Sequence, residues 1–200
     1  MALPDFAVVD LETSGLSSRR HRVLQIGVVV VTADGRVVDR WSSLVKLRWP
    51  FQRVGPTEIH GITRTTLRGA PALDEALDEL GRRIDGSIFT AHNAAFDAGF
   101  LARAARRRPP TDAVRRGLET QLCTLRMSRR LDPDRQQSHR LADVCARYGV
   151  ALERPHDALA DAEATAAILP HLLRAHGVDD VDDLEPFYVR RPLPGSPPSR

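Results

Sequence analysis

The sequence is poor in cysteine and contains no long apolar run. Its two cysteines, Cys123 and Cys145, form neither a metal-ligand pair nor a disulfide framework. The longest apolar stretch, IGVVVV at residues 26–31, is far shorter than the ~18 residues that a membrane span requires. The first residues, MALPDF, include an acid and no basic segment, unlike a signal peptide. We therefore expect a protein of the reducing cytoplasm that does not enter a membrane.

Lysine is also nearly absent, although the chain is basic. Of the 29 basic residues only Lys46 is a lysine, and the net charge is +3. Arginine binds phosphate in a bidentate manner and stacks on bases, which suits a nucleic-acid partner. A GC-rich coding sequence would produce the same arginine bias, so composition alone does not decide between the two explanations.

The 200 residues, of which 42% are hydrophobic, are enough for one domain with a substantial core. Strands are predicted first as an antiparallel meander and then in alternation with helices, which is typical of one α/β domain with a mixed sheet. The predicted strands are residues 6–11, 23–32, 36–47, 87–91 and 120–125. The predicted helices are residues 57–60, 73–84, 93–107, a segment ending near 131, 141–148 and 158–175. We expect the domain to occupy residues 1–177 and residues 178–200, acidic and then proline-rich, to form a flexible tail.

The first strand ends in the motif VVDLETSG, at residues 8–15. Asp10 and Glu12 are two positions apart on a strand, so both side chains point to the same face. Two carboxylates on one face repel each other unless a cation lies between them, and Mg²⁺ and Mn²⁺ favour such oxygen ligands. A strand that simply ends in solvent would explain the same two residues if they stood alone.

Two further segments place acids near the ends of predicted core elements. In AHNAAFDAGFL, residues 91–101, Asp97 lies one turn into a helix that follows a short strand. In PHDALADAEA, residues 155–164, Asp161 lies near the start of the last helix, and His156 precedes that helix. Helix capping and the helix dipole would explain each acid separately. A two-metal centre would explain all of them together, because such centres are ringed by carboxylates.

Three motifs in this order resemble those of a known enzyme family. D-x-E-T-x-G at residues 10–15, H-N-x-x-F-D at residues 92–97 and H-x-A-x-x-D at residues 156–161 resemble the exonuclease motifs of the DEDDh 3′–5′ exonucleases. This family includes the proofreading subunit of the bacterial replicative polymerase, ribonuclease T and oligoribonuclease. The resemblance covers residues 6–173, and IHGIT and SHRLADVCARYGV resemble the proofreading branch in particular.

The resemblance implies a ribonuclease-H-like fold with a five-stranded mixed sheet flanked by helices. It also implies that two divalent ions, Mg²⁺ or Mn²⁺, bind at four acids, and that His156 is the general base. The four acids are Asp10, Glu12, Asp97 and Asp161. A related subgroup uses tyrosine as the base, but Tyr148 and Tyr188 both lie outside the third motif.

The same resemblance implies contacts to the terminal nucleotide. Thr13 would hold this nucleotide, and Leu16 would wedge or stack against its base, although burial on the protein is an equal alternative for Leu16. His60, His92 and Phe96 are further candidates for the substrate pocket, with a structural role equally open for both histidines.

The expected activity is the hydrolysis of nucleic-acid phosphodiesters from the 3′ end, releasing nucleoside 5′-monophosphates. Single-stranded or 3′-terminal DNA is favoured over RNA as the substrate, and a DNA polymerase subunit is a candidate partner. The alternatives are an RNA-processing exonuclease of the same fold and a nucleic-acid-binding module associated with a polymerase.

Overall fold

The computed structural model describes residues 3–105 and 111–190. A single sheet with helices on both faces organises this part of the chain, in the strand order β3-β2-β1-β4-β5-β6. The strands are β1 (Phe6–Thr13), β2 (Val23–Val31), β3 (Val37–Leu44), β4 (Ile88–Ala91), β5 (Thr120–Cys123) and β6 (Tyr188–Arg190). β1, β2 and β3 pair antiparallel, and β4 and β5 continue the sheet in parallel with β1, as the sequence predicts.

Seven α-helices cover the sheet within the described ranges. They are α1 (Thr57–His60), α2 (Leu73–Ile84), α3 (Ala94–Ala105), α4 (Asp112–Glu119), α5 (Thr124–Arg130), α6 (Leu141–Arg147) and α7 (Ala158–Ala175). Apart from α4, all of them were predicted from the sequence. None of these helices is long and apolar enough to cross a membrane.

The alternation of side chains along β1 divides the core into two layers. Ala7, Val9 and Leu11 belong to the layer that contains residues of α2, α3 and α4. Phe6 and Val8 point to the opposite face and pack in the layer that contains α7. β1 is therefore buried on both sides, which explains its continuous apolar sequence up to the first acid.

The sheet has six strands, and the prediction of five is wrong. A 3₁₀ helix, Val181–Phe187, follows α7, and β6 then pairs antiparallel with the edge of β5. Leu184 and Phe187 of this segment are buried. The prediction of a flexible tail is therefore wrong for residues 178–190. The proline-rich residues 191–200, like the arginines at 106–108, lie outside the described residues.

Phe187 provides a test of this correction. Its ring lies 4.4 Å, centroid to centroid, from that of His176. Phe187→Ala should lower the free energy of unfolding by about 3 kcal/mol. For a chain of this size that is a fall in Tm of roughly 6–12 °C in a thermal melt. Glu185→Gln, an exposed neighbour, is the control and should leave Tm nearly unchanged. An unchanged Tm for Phe187→Ala would mean that this segment does not pack on the sheet in solution.

Candidate active site

β1 carries two acids to the face of the sheet on which α7 packs. Asp10 and Glu12 continue the row begun by Phe6 and Val8, since every second side chain of a strand lies on the same face. This row is thus apolar in the core and acidic at its end, where both acids are only partly buried. The local sequence therefore determines that both carboxylates point toward the start of α7.

Two residues of β2 hold the start of α7 against the sheet. Gly27 pairs with Asp10 across the ladder, and a Cβ atom at Gly27 would lie 2.2 Å from the carbonyl oxygen of Ala158. Gln25 accepts a hydrogen bond from the Ala158 backbone N–H at 3.3 Å through its side-chain oxygen. Sequence reasoning missed both residues. A glycine inside an apolar strand often marks a close backbone approach, and that signal could have identified Gly27.

The first turn of α7 separates the roles of its polar residues. Asp157 caps the helix, because its carboxylate accepts a hydrogen bond from the Ala160 backbone N–H at 3.0 Å. His156 is exposed and lies in the preceding loop with a φ of 66°. Its backbone N–H donates to Oδ2 of Asp161 at 3.2 Å. The loop is thereby tied to the carboxylate that turns toward β1.

Asp97 reaches the same place from the other layer of the core. It lies in the first turn of α3, directly after β4, and is only 4% exposed. Burial raises the pKa of Asp97 to about 8, the backbone hydrogen bonds at Asp97 and Leu11 oppose this shift, and the charge of Glu12 adds to it. The hydrogen bond at Leu11 joins the Asp97 carboxylate to the end of β1.

Three of the predicted residues converge where β1, a central strand of the sheet, ends. One ligand atom each of Glu12, His156 and Asp161 lies within 4.8 Å of the others, a spacing that fits a bound metal ion. The second carboxylate oxygen of Asp161, Oδ1, is buried without a hydrogen-bond partner in the described part of the chain. An unpartnered buried oxygen is costly unless a cation compensates for it.

The electrostatics of the cluster indicate the same need for positive charge. Burial raises the pKa of Asp10 well above its ordinary value, and Asp97, Asp161 and Glu12 raise it further. Burial and the charges of Asp161 and Asp157 raise the pKa of Glu12 to about 7. The pKa of Asp161 is raised by burial, although the His156 backbone hydrogen bond opposes this shift. The four acids destabilise one another's charged forms, so a cation bound between them would relieve a repulsion built into the fold.

This repulsion predicts a dependence of stability on pH in the metal-free protein. The native pKa values of Glu12 and Asp97, about 7 and about 8, exceed those of the unfolded chain. The native state therefore retains protons that the unfolded state has released, and stability falls as pH rises through these values. Burial lowers the pKa of His60 and His92, and this makes stability rise with pH below pH ~6.5, opposite to the effect of the acids. The stability of the metal-free protein should therefore be compared between about pH 6.5 and 8.5.

Thermal melts in EDTA should show Tm falling across this range. Added Mg²⁺ or Mn²⁺ should raise Tm more at the alkaline end than at the acid end, because binding displaces the retained protons. A Tm that rises with pH in EDTA would contradict the assignment of these carboxyls as repelling neighbours.

The structure places three of the predicted substrate-binding residues near the end of β1. The Thr13 hydroxyl donates to the Gly15 carbonyl at 2.9 Å, and Leu16 is 87% exposed on the following loop. His60 is buried, and its Nδ1 accepts a hydrogen bond from the Ile62 backbone N–H at 3.0 Å. Its Nε2 is buried without a hydrogen-bond partner among the described residues. Burial lowers the pKa of His60, and the charge of His156 lowers it slightly further. His60 therefore lies near the loop that contains His156, with its Nε2 enclosed by the protein.

His92 and Phe96 are more strongly engaged inside the protein. The His92 ring nitrogens lie 3.0 Å from the Thr124 hydroxyl and 2.9 Å from the His139 carbonyl. Both nitrogens are thus used within the fold, which favours the structural role that the sequence left open. The Phe96 ring packs at 5.0 Å from that of Phe100 and is only partly buried, so one part of it remains accessible.

Comparison with known proteins agrees with this arrangement. Residues 7–169 match the model of a family described as exonuclease, of the ribonuclease T type. The chain is 34% identical over 167 residues to the PolC-type DNA polymerase III of Clostridium perfringens, a match that covers 82% of this chain and 11% of the relative. The corresponding polymerase of Streptococcus thermophilus is 32% identical over 189 residues, covering 92% of this chain and 12% of the relative. The chain thus spans only about a tenth of the length of these relatives.

Solved structures share the fold at low sequence identity. A 3′-exonuclease that recognises the histone mRNA stem-loop superposes with a TM-score of 0.73 at 14% identity, covering 88% of this chain and 84% of that one. Exonuclease I of Escherichia coli, in complex with a dT13 oligonucleotide, gives 0.70 at 19% identity, covering 84% and 41%. The nuclease domain of a DEDDh family member bound to rAMP gives 0.70 at 14% identity, covering 86% and 92%. Together with the three motifs and the ribonuclease-H-like sheet, the match over residues 7–169 shows that the chain belongs to the exonuclease family, as a DEDDh-type 3′–5′ exonuclease.

Proposed function

We propose that the chain removes nucleoside 5′-monophosphates from the 3′ end of DNA by a two-metal mechanism with His156 as the general base. The observation that carries this proposal is the convergence of Glu12, His156 and Asp161 within 4.8 Å, beside two further acids whose pKa values respond to the same charges. A solvent-exposed strand end would not hold five such groups from three separate segments together.

The donor set fits two divalent ions of the Mg²⁺ or Mn²⁺ type. Asp10, Glu12, Asp97 and Asp161 offer carboxylate oxygens, which these hard cations prefer over nitrogen or sulfur. Cys145 lies in the core and its pKa is raised to about 11, so its thiol does not compete as a ligand. When bound, the ions supply positive charge to the attacking and leaving oxygens of an in-line displacement at phosphorus.

We assign His156 as the group that accepts the proton of the attacking water. Imidazole is the side chain that changes protonation near neutral pH, which suits it to general-base catalysis. The exposed loop position lets the histidine reach a water above the phosphate and then return the proton to solvent. The backbone hydrogen bond from His156 to Asp161 keeps this side chain beside the carboxylates.

The terminal nucleotide would lie between the end of β1 and α1. We place Leu16 against its base, because a large apolar side chain that is 87% exposed beside the carboxylates gains from covering a base. Thr13 shapes the turn that presents Leu16, and we assign His60 and the accessible part of Phe96 to the same pocket. We assign His92 a supporting role, since its ring is hydrogen-bonded to Thr124 and to the His139 carbonyl within the fold.

The favoured substrate is single-stranded or 3′-terminal DNA. The PolC-type relatives are DNA polymerases, so an association with a DNA polymerase subunit in the cytoplasm is part of the proposal. Among the proteins of similar fold, one was solved with a dT13 oligonucleotide and another recognises an RNA stem-loop. The fold therefore accommodates either polymer, and an RNA-processing activity is the alternative outcome of the test.

The test uses the full chain with DNA and RNA oligonucleotides of the same sequence, each labelled at the 5′ end. With Mg²⁺ or Mn²⁺ present, DNA should shorten from the 3′ end in single-nucleotide steps, and the small product should be a nucleoside 5′-monophosphate. EDTA should stop the reaction. A blocked 3′ end that is degraded as fast as a free one would refute the polarity, and preferential loss of RNA would replace the DNA assignment.

A further inference from the structure

The loop between β3 and α1, residues 45–56, exposes a pair of stacked aromatic rings. Trp49 is 46% exposed and Phe51 is 78% exposed, whereas Phe6, Phe89, Phe100 and Phe187 are buried. The two exposed rings lie 6.2 Å apart, centroid to centroid, and are nearly parallel, at 8°. Single exposed apolar side chains are common on proteins, but two that face water together form a ready surface for a flat ligand.

Basic and polar side chains surround this aromatic pair. The Arg48 guanidinium lies 5.1 Å from the centroid of the Trp49 ring. Arg48 and Lys46, the only lysine of the chain, line an adjacent cavity of about 520 Å³ together with Arg22 and Gln52. Asp74 is the one acid among the described residues that line this cavity. The surface is therefore positively charged beside its aromatic rings.

The same loop ends against the active site. A Cβ atom at Gly55 would lie 2.5 Å from the carbonyl oxygen of Ser14, so this end of the loop packs directly on the segment after β1. An extended chain spans at most about 3.6 Å per residue, which places Phe51 within roughly 14 Å of Gly55. A polynucleotide whose 3′ end occupies the active site would cover that distance with a few nucleotides.

We propose that Lys46, Arg48, Trp49 and Phe51 form a platform for the single strand just upstream of the terminal nucleotide. This inference rests on the proposed function, since it gives the same active site an extended substrate. Proteins that bind single strands without regard to sequence combine a basic groove with aromatic rings on which successive bases stack. In this chain, Lys46 and Arg48 would contact phosphates, while Trp49 and Phe51 would stack on bases.

The chemistry of this surface favours a single strand over a protein partner. A stable protein interface requires ~800 Å² of surface per partner and an apolar centre from which charge is largely excluded. The aromatic pair is small and lies beside arginine and lysine, which suits an alternation of bases and phosphates. A paired strand would hide its base faces, so the platform selects unpaired ends.

Binding is measured first, through the fluorescence of Trp49 in a Trp41→Phe background. Trp41 is packed against the core, and its removal leaves Trp49 as the only indole. Oligodeoxythymidylate added in EDTA should quench this fluorescence by stacking. An oligonucleotide with abasic residues upstream of its 3′ nucleotide retains the phosphates and should quench far less. Equal quenching by both strands, or none by either, would overturn the platform.

Kinetics then show whether the platform serves hydrolysis. We expect the Trp49→Ala/Phe51→Ala double variant to raise KM for the intact strand about 100-fold, or about 10-fold for each of the two stacked bases, with the change in KM rather than in kcat. The wild-type preference for the intact strand over the abasic one should disappear in this variant. Val38→Ala, which removes an apolar side chain that is 49% exposed on β3, is the matched control and should leave KM unchanged.

The two measurements separate this inference from the proposed function. Quenching without any hydrolysis would retain the platform and reject the exonuclease mechanism. Hydrolysis with an unchanged KM in the double variant would retain the mechanism and reject the platform. The aromatic pair would then be assigned to the binding of a protein partner.

Discussion

Asp10→Asn should abolish hydrolysis and at the same time make the metal-free protein more stable. The Asp10 carboxylate lies among Asp97, Asp161 and Glu12, and its pKa is raised well above its ordinary value by burial and by these neighbours. Asparagine has a similar shape and no charge, so it removes this repulsion without leaving a cavity. We expect Tm in EDTA at pH 8 to rise by a few degrees, because ~1 kcal/mol corresponds to roughly 2–4 °C in a chain of this size.

The loss of activity should be at least about 1000-fold in kcat, or ~4 kcal/mol of transition-state stabilisation. A neutral amide lacks the negative charge with which the Asp10 carboxylate would hold a divalent cation. The increase in Tm produced by Mg²⁺ or Mn²⁺ in wild-type protein should also be much smaller in the variant. Activity and stability thus move in opposite directions, which a misfolded variant would not show.

Glu163→Gln is the matched control for this experiment. Glu163 lies on α7 two residues after Asp161 and forms an exposed ion pair with Arg40 at 2.9 Å. Its replacement should leave both hydrolysis and the stabilisation by metal close to those of the wild type. If Asp10→Asn retained wild-type turnover, Asp10 would not be a ligand and the two-metal proposal would lose its central residue.

The local sequence was enough to predict that Asp10 and Glu12 share a face, because side chains two residues apart on a strand point to the same side. The role of Asp161 did not follow from the local sequence, because helix capping would explain an acid there equally well. The shared face of Asp10 and Glu12 could be predicted because it depends on the geometry of one element. The meeting of the three segments rested on the resemblance of the motifs to a family, since local geometry says nothing about distances between elements.

The tail and the sixth strand were predicted wrongly because the composition of this segment suggests disorder, whereas the segment is folded. The acids of residues 178–200 were interpreted as part of a flexible tail, yet Asp180 and Asp183 cap the 3₁₀ helix, and the Asp180 backbone N–H donates to Asp183 at 2.9 Å. Leu184 and Phe187 are buried. Two apolar residues are nevertheless too few to form the periodic spacing by which a helix or strand is recognised in a sequence. β6 has three residues and pairs only with β5, so its position depends on a distant strand.

The loop before α1 shows a second limit of prediction from the sequence. Nothing in the order of residues 45–56 indicates that Trp49 and Phe51 stack in solvent, or that Gly55 packs against Ser14. Such contacts follow from the closure of the loop between two fixed elements. Candidate substrate contacts outside the three motifs can therefore be identified only from the structure. The acids and the histidine of the motifs could be identified from the sequence.

The second large effect is expected at His156, where the backbone and the imidazole can be tested separately. His156 has a φ of 66°, a left-handed conformation that asparagine and glycine adopt more readily than most residues. His156→Asn should therefore preserve the loop, and with it the backbone hydrogen bond to Asp161 at 3.2 Å. If the histidine served only this geometry, the asparagine variant would keep its activity. We expect kcat to fall by about 10²–10⁴ instead, the usual contribution of a general base.

The His156→Gly variant turns this loss into a positive test. Glycine suits the same φ and leaves space on an exposed loop, so imidazole in the buffer can occupy the position of the missing ring. The rate should recover in part as the concentration of imidazole increases, and the recovery should follow the neutral form of imidazole as pH is varied. Asp10→Asn should show no recovery under the same conditions, because imidazole would not supply the missing carboxylate. Wild-type turnover in His156→Asn would refute the assignment of the base, since the side chain would then be dispensable for proton transfer while the loop remained in place.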